Sequence, residues 1–373
     1  MSTSDRGDLL AQIGRLAAPH LKSPAAALAV TRLTGDASTR SYFRVRSGSS
    51  SLIVALYREP FDVAEKANAR LARLEARDPS ARLTFANDPC AHVEVTELLL
   101  ESGLPAPRIL GVSGRDGVLL LEDAGDVRLQ DWLQGRTPAE ARDEYRRAVR
   151  MIVRIQEATP DIASRDSICS SLAFDEMKLK WELGFFFANY FNRYLGMKLG
   201  GDTNQAVQQE FKALCLELAS RPRVLVHRDY HARNLMMHAG QMFIIDHQDA
   251  RMGPASYDLA SLLRDPYTGL DRGVTQEMVE YFISLKADSS VPMPDAVEFR
   301  TEVELMTVQR MLKAIGTYSY QAAVAGNSSY VDYIAPAIRA ALESMEALGR
   351  LGSIRGLLEE TRALTGQVAG MDV

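Results

Sequence analysis

Residues 224–246 constrain this chain more than any other stretch. Val224-Leu-Val-His227 and Phe243-Ile-Ile-Asp246 are two apolar runs, each short enough to be a buried strand. A polar loop, Arg228-Asp229-Tyr-His-Ala-Arg233-Asn234, follows the first run, and His238-Ala-Gly240-Gln forms the turn of a hairpin before the second. The loop carries an Asp and then an Asn five residues on, and the second run ends in another Asp. Phosphoryl transfer requires this set of groups: one carboxylate to orient the attacking hydroxyl, and an amide oxygen and a second carboxylate to hold Mg²⁺. A surface hairpin with scattered polar residues is the plainer alternative, and it leaves the spacing unexplained.

A chain of 373 residues is longer than one core usually organises, so two lobes are expected. Hydrophobic residues at 46% and charged residues at 24% are ordinary for a globular protein. A net charge of −5 without a basic run argues against nucleic acid as a partner. Cys90, Cys169 and Cys215 are far apart and odd in number, which suits buried thiols in a reducing cytoplasm better than disulfides or a metal cluster. The first residues lack the apolar stretch of a signal peptide, and no run of about 18 apolar residues is present to span a membrane. The expectation is a cytoplasmic protein with no membrane or nucleic-acid contact and no obligate protein partner.

Residues 1–22 read as an amphipathic helix with Leu9, Ile13, Leu16 and Ala17 on one stripe. Three strands in a meander follow, around 29–34, 42–46 and 52–57, with Ser47-Gly-Ser-Ser-Ser as the second turn. Residues 61–91 give no clear pattern. A helix over 90–102 stops at Gly103, and a further hairpin spans 108–123. After Gly125 the period becomes helical, over 138–158, 172–195, 203–219, 254–264, 275–286 and most of 300–365. The order is a small sheet-rich lobe, a hinge near 122–127, and a larger helical lobe holding the catalytic hairpin.

Asp229 is the candidate catalytic base, and Asn234 and Asp246 are the candidate Mg²⁺ ligands, hard oxygen donors of the kind that ion prefers. His227 reads as a brace for the loop, and Arg233 as a phosphate contact or a second brace. Gly35, Ala37, Ser38 and Thr39, in the turn between two strands, are placed to offer backbone N–H groups to phosphate. Glu122 and Ala124 belong to the interlobe segment whose backbone can meet adenine. Asp258 opens a helix, where it can stabilise the N-terminus or tie back to the catalytic loop. Glu182, Arg233, Gln248 and Asp249 are candidate contacts to the acceptor substrate, among the aromatic residues of 174–191. His238 and His247 are taken as bystanders.

The segment His227-Arg-Asp229-Tyr-His-Ala-Arg-Asn234 matches the protein-kinase catalytic loop H-R-D-L-x-x-x-N except for Tyr230 at the Leu position. With Ile-Ile-Asp246, Tyr257-Asp-Leu-Ala and Leu-Leu-Leu-Glu-Asp123, it resembles the aminoglycoside phosphotransferase and choline kinase group of small-molecule kinases. Gly35-Asp-Ala-Ser-Thr-Arg-Ser-Tyr42-Phe-Arg44 and Asp246-His-Gln-Asp-Ala are most similar to the bacterial anomeric kinases of N-acetylmuramate and N-acetylglucosamine. The resemblance covers residues 30–290. It implies an α+β, two-lobed protein-kinase-like fold, with a nucleotide-binding N-lobe over 1–124 and a helical C-lobe over 125–373 carrying the acceptor pocket. It also implies ATP and Mg²⁺ and a sugar acceptor in cell-wall recycling. The alternatives are an aminoglycoside, choline or homoserine kinase, or a nucleotide-binding pseudokinase. One departure stands out. Protein kinases carry a strand-three Lys paired with a helix Glu, whereas Ile53-Val-Ala-Leu-Tyr57-Arg58 has no Lys and Glu94 and Glu97 have no assured partner. Which cation meets the α- and β-phosphates is left open.

Overall fold

The structure is a computed structural model that describes residues 3–33, 40–57, 59–287, 289, 291 and 293–368. The chain divides into two compact units. The first comprises Met1–Arg128, Asp166–Ile168 and Leu235–Asp249, and the second comprises Leu129–Arg165, Cys169–Asn234 and Ala250–Val373.

The first unit is built on an antiparallel five-stranded sheet in the order β1-β2-β3-β5-β4. Its strands are β1 (Ala29–Arg32), β2 (Ser41–Ser47), β3 (Ser50–Leu56), β4 (Ile109–Ser113) and β5 (Val118–Glu122). Ser47 pairs with Ser50, so the β2–β3 turn has two residues, and Gly48 supplies its left-handed backbone at φ +59°. Phe43, Val45, Leu52, Val54 and Leu120 bury one face of the sheet against Ile13 and Ala17 of the Thr3–Leu21 helix. Each fully buried side chain of this size contributes about 1.5–3 kcal/mol. The Pro89–Glu101 helix starts where Asp88 accepts hydrogen bonds from the N–H groups of Cys90 and Ala91, with Pro89 in the first turn. In the stretch the sequence left unplaced, Ala67–Glu75 and Ala81–Thr84 are helical.

The hairpin Leu235–His238 and Gln241–Ile244 also belongs to the first unit, whereas the sequence reading put it in the helical lobe and set the boundary after residue 124. Backbone pairing explains the difference. Val127 and Arg128 pair with Met237 and Met236, and Ile244 N–H donates to the Pro105 carbonyl at 2.8 Å.

Helices dominate the second unit. Pro138–Glu157 begins with a reciprocal capping box between Thr137 and Glu140. The Ala296–Ala323 helix buries Phe299, Leu305, Met306, Val308, Leu312 and Ile315. At Gly316 an added Cβ would lie 2.6 Å from Phe186 Cα, so this glycine permits backbone-to-backbone contact with the Glu176–Phe187 helix. The periodic region after residue 300 resolves into this helix, Ile334–Leu348 and Gly352–Val368, with Gly349 at φ +60° ending the second of them. Arg223–Val226 pairs antiparallel with Arg251–Pro254, a strand absent from the sequence reading because Gly253-Pro254 reads as a helix start. Among the described residues no helix is long and apolar enough to cross a membrane.

Candidate active site

In the second unit the candidate catalytic loop leaves the Arg223–Val226 strand and is pinned at each step. The N–H groups of His227 and Arg228 donate to the two carboxylate oxygens of Asp258, at 2.7 and 3.1 Å. Asp258 therefore ties the loop back, the second of the roles its sequence position allowed. Burial pushes its carboxyl up, and the His227 side chain and the two N–H bonds oppose that shift. Arg228 sits at φ +85°, a left-handed conformation that costs a non-glycine residue on the order of 1–3 kcal/mol. The Asp258 bonds offset that strain one residue before Asp229. Below the loop, His227 is buried and its ring meets Tyr230 edge-on at 5.7 Å, while the Tyr230 hydroxyl donates to the Ala148 carbonyl. Asp265 takes the Ala232 N–H at 2.9 Å. Burial raises the Asp265 carboxyl to about 6 against the N–H bonds from Tyr267 and Ala232.

The Asp229 carboxylate faces three cations. Lys313 Nζ is 3.2 Å from Oδ1, Arg310 is 3.5 Å from the same oxygen, and Arg228 Nε is 3.8 Å from Oδ2. Burial alone would raise this carboxyl, but the charges of Lys313, Arg228 and Arg310 outweigh it and hold Asp229 well below the usual carboxylate range. Neither Lys313 nor Arg310 was singled out from sequence. Asn234 donates its Nδ2 to the Asp229 carbonyl at 2.8 Å, which orients the amide and leaves Oδ1 as the atom suited to a cation.

Two of the candidate acceptor contacts lie in this unit. Glu182 is 1% exposed, accepts from Gln309 Nε2 at 2.8 Å and pairs with Lys178 at 3.4 Å. Burial lowers Lys178 to about 7 despite Glu182, with Arg228, Arg251 and Lys313 adding to the effect. Against the upward push of burial, the charges of Lys178, Lys313 and Arg228 hold Glu182 down at about 2. Arg233 stacks over Tyr267 at 4.0 Å and donates to Gln130 Oε1 and the Tyr333 hydroxyl.

In the first unit Asp246 follows the Gln241–Ile244 strand with its backbone at φ +62°. Its Oδ1 accepts from Arg40 at 2.6 Å and from Gln248 Nε2 at 3.0 Å, while the side chain stays 37% exposed. Gln248 and Asp249 are buried and brace this turn: Gln248 also donates to Asp249 at 3.3 Å, and Asp249 accepts the Asn87 N–H. His247 is hydrogen-bonded to Thr96 at 2.7 Å, so it anchors the turn to the Pro89–Glu101 helix. At the end of β5, Glu122 pairs with Arg108 at 3.1 Å, its own N–H donates to the Arg108 carbonyl, and Ala124 is buried. Gly35, Ala37, Ser38, Thr39 and Arg58 lie outside the described residues. The part-exposed carboxylate of Asp246 is a donor type that Mg²⁺ takes, and so, in its own unit, is the oriented amide oxygen of Asn234, so the chemistry of each residue fits that ion.

An H-R-D loop ending in a fixed Asn, with an Asp after the following hairpin, defines a kinase-like phosphotransferase. The chain belongs to the phosphotransferase enzyme family, whose sequence pattern matches residues 29–288. It is 30% identical over 287 residues to an N-acetylmuramate/N-acetylglucosamine kinase of Pseudomonas aeruginosa, covering 77% of this chain and 75% of that one. A choline kinase from Cryptosporidium parvum superposes with a TM-score of 0.58 at 13% identity, covering 94% of this chain and 99% of that one. A spectinomycin phosphotransferase in complex with ADP and spectinomycin gives 0.51 at 13% identity, covering 95% and 98%. These likenesses establish the α+β, protein-kinase-like fold that the sequence implied.

Proposed function

We propose that the protein transfers the γ-phosphoryl group of ATP to an amino-sugar hydroxyl, the anomeric hydroxyl of N-acetylmuramate or N-acetylglucosamine. The observation that carries this reading beyond a relative's name is the cationic surround of Asp229: Lys313, Arg310 and Arg228. A like charge brought within about 4 Å of one of them is opposed by about 4 kcal/mol at an effective dielectric of about 20. Polycationic aminoglycosides and choline meet that penalty. A neutral sugar does not, and a sugar bearing a carboxylate gains from the same field.

Within this reading Asp229 accepts the hydrogen bond of the sugar hydroxyl and aligns its oxygen with the γ-phosphorus. The new O–P bond forms as the bond to the leaving ADP oxygen breaks, and the hydroxyl proton departs by way of Asp229. A carboxyl held so acidic suits orientation of the hydroxyl better than early proton removal. Asn234 and Asp246 would hold Mg²⁺, which when bound neutralises phosphate charge. We assign nucleotide binding to the first unit, through Gly35, Ala37, Ser38, Thr39 and the segment of Glu122 and Ala124, and acceptor binding to the second. Glu182, Gln248 and Asp249 act in support, fixing charges and the Asp246 turn, and Arg233 holds the loop. The cellular role is recycling of cell-wall amino sugars in the cytoplasm.

Purified protein with Mg·ATP should convert either sugar to a product whose phosphorus couples to the anomeric proton by NMR. A product phosphorylated at C6, or turnover confined to aminoglycosides or choline, overturns the anomeric assignment.

A further inference from the structure

We propose that Arg40 is the phosphate-binding cation of this enzyme, replacing the strand-three lysine that its sequence lacks. No lysine occurs in β3, Ser50–Leu56, and Tyr57 follows directly. Arg40 stands one residue before β2, with a side chain only 2% exposed, and its guanidinium pairs with Asp246 at 2.6 Å. Burying a guanidinium is costly unless anionic partners meet it. Here the anion is the residue assigned to magnesium, which places the cation where phosphate oxygens would gather. The group is also aimed. It lies 5.5 Å from the Tyr42 ring centroid and 5.9 Å from that of Tyr57.

Tyr57 connects this cation to the Pro89–Glu101 helix. Its hydroxyl is hydrogen-bonded to His92 Nδ1 at 2.7 Å, and the His92 ring meets His247 edge-on at 5.4 Å. A protein kinase couples the corresponding helix to the phosphates through a Lys–Glu ion pair. Here the tie to the Pro89–Glu101 helix is the Tyr57–His92 hydrogen bond, and Glu94 of that helix accepts the Ile168 N–H at 2.6 Å. Arg44, the next arginine along, is held by Asp123, Asp126 and the Gly125 carbonyl, so its charge is already committed to the β5 end. A planar guanidinium can keep one N–H on Asp246 while others engage a phosphate oxygen, which a single ammonium does less well.

The inference rests on a nucleoside triphosphate being the donor, and calorimetric titration of the full chain with adenosine, ADP and Mg·ATP separates the two. Wild type that binds neither ADP nor Mg·ATP refutes the donor and leaves Arg40 without a phosphate to bind. Given wild-type binding, Arg40→Gln should weaken ADP and Mg·ATP at least tenfold while adenosine stays within twofold. The KM for Mg·ATP should rise and that for the sugar should not. Arg40→Lys, which keeps charge in the site, should lower the ADP-to-adenosine affinity ratio at least threefold and decides the matter if Arg40→Gln fails to fold. An unchanged ratio in the folded variant, or equal losses for adenosine and ADP, overturns the proposal.

Discussion

Lys313 Nζ lies 3.2 Å from Asp229 Oδ1, and the two residues are 84 positions apart in the chain. The pair joins the Ala296–Ala323 helix to the catalytic loop and fixes the charge of the carboxylate on which the reaction is proposed to turn. Burial lowers Lys313 more than Asp229 raises it, while Asp229 is held low.

Replacing Lys313 with Met should raise the Asp229 carboxyl toward its ordinary value. The folded value now lies below the unfolded one of about 3.9, so Asp229 adds stability above that pH and loses it as pH falls through the folded value. In the variant the acid limb of kcat should move to higher pH, and the stability gap from wild type should narrow as the solution is acidified. An acid limb that does not move would detach Lys313 from Asp229.

Asp229→Asn preserves size and the loop's backbone bonds but not the negative acceptor. It should lower kcat at least about a hundredfold, the lower end of acid–base contributions, with ADP affinity changed no more than a few-fold. Steady-state rates and calorimetry on one preparation test both halves, and full turnover would remove Asp229 from the mechanism.

Asp246→Ala removes the carboxylate assigned to Mg²⁺ and the one paired with buried Arg40. Magnesium-dependent ATP binding and activity should be lost together, and the protein should melt at a lower temperature. Normal turnover at ordinary magnesium would show that another residue holds the ion.

At Gly316 two effects compete. Alanine gains about 1 kcal/mol of helix propensity, but its Cβ would sit 2.6 Å from Phe186 Cα, and overpacking against a backbone typically costs about 1–3 kcal/mol. Backbone cannot swing aside as a side-chain tip can, so the clash should win. The denaturant midpoint should fall, and an unchanged or higher midpoint would contradict the close packing of these two helices.

The candidate catalytic loop stands out in the sequence because its groups are local: Asp229 and Asn234 are five residues apart, and Asn234 bonds back to Asp229 within the loop itself. The meander was legible because β2 and β3 alternate and are joined by a two-residue turn. Lys313 and Arg310 were hidden by the same logic. They lie on a helix whose apolar stripe reads as core, and nothing in its 3.6-residue period marks which polar residues face the loop. The Arg251–Pro254 strand was missed because pairing with Arg223–Val226 overrides the turn signal of Gly253-Pro254. Arg40 appeared in the subfamily string, but its partner is 206 residues away and no local pattern names it.

The first unit is assembled from three stretches of chain, the last ending at Asp249. A ribosome therefore delivers β1–β5 long before the Leu235–Ile244 hairpin that gives Val127 and Arg128 their partners and Pro105 its donor. A gene fragment cut at residue 128 would encode a sheet with those backbone groups unmet. The N-terminal portion is thus not an exchangeable cassette, and recombination that replaces it with a foreign one must carry residues 235–249 along with it.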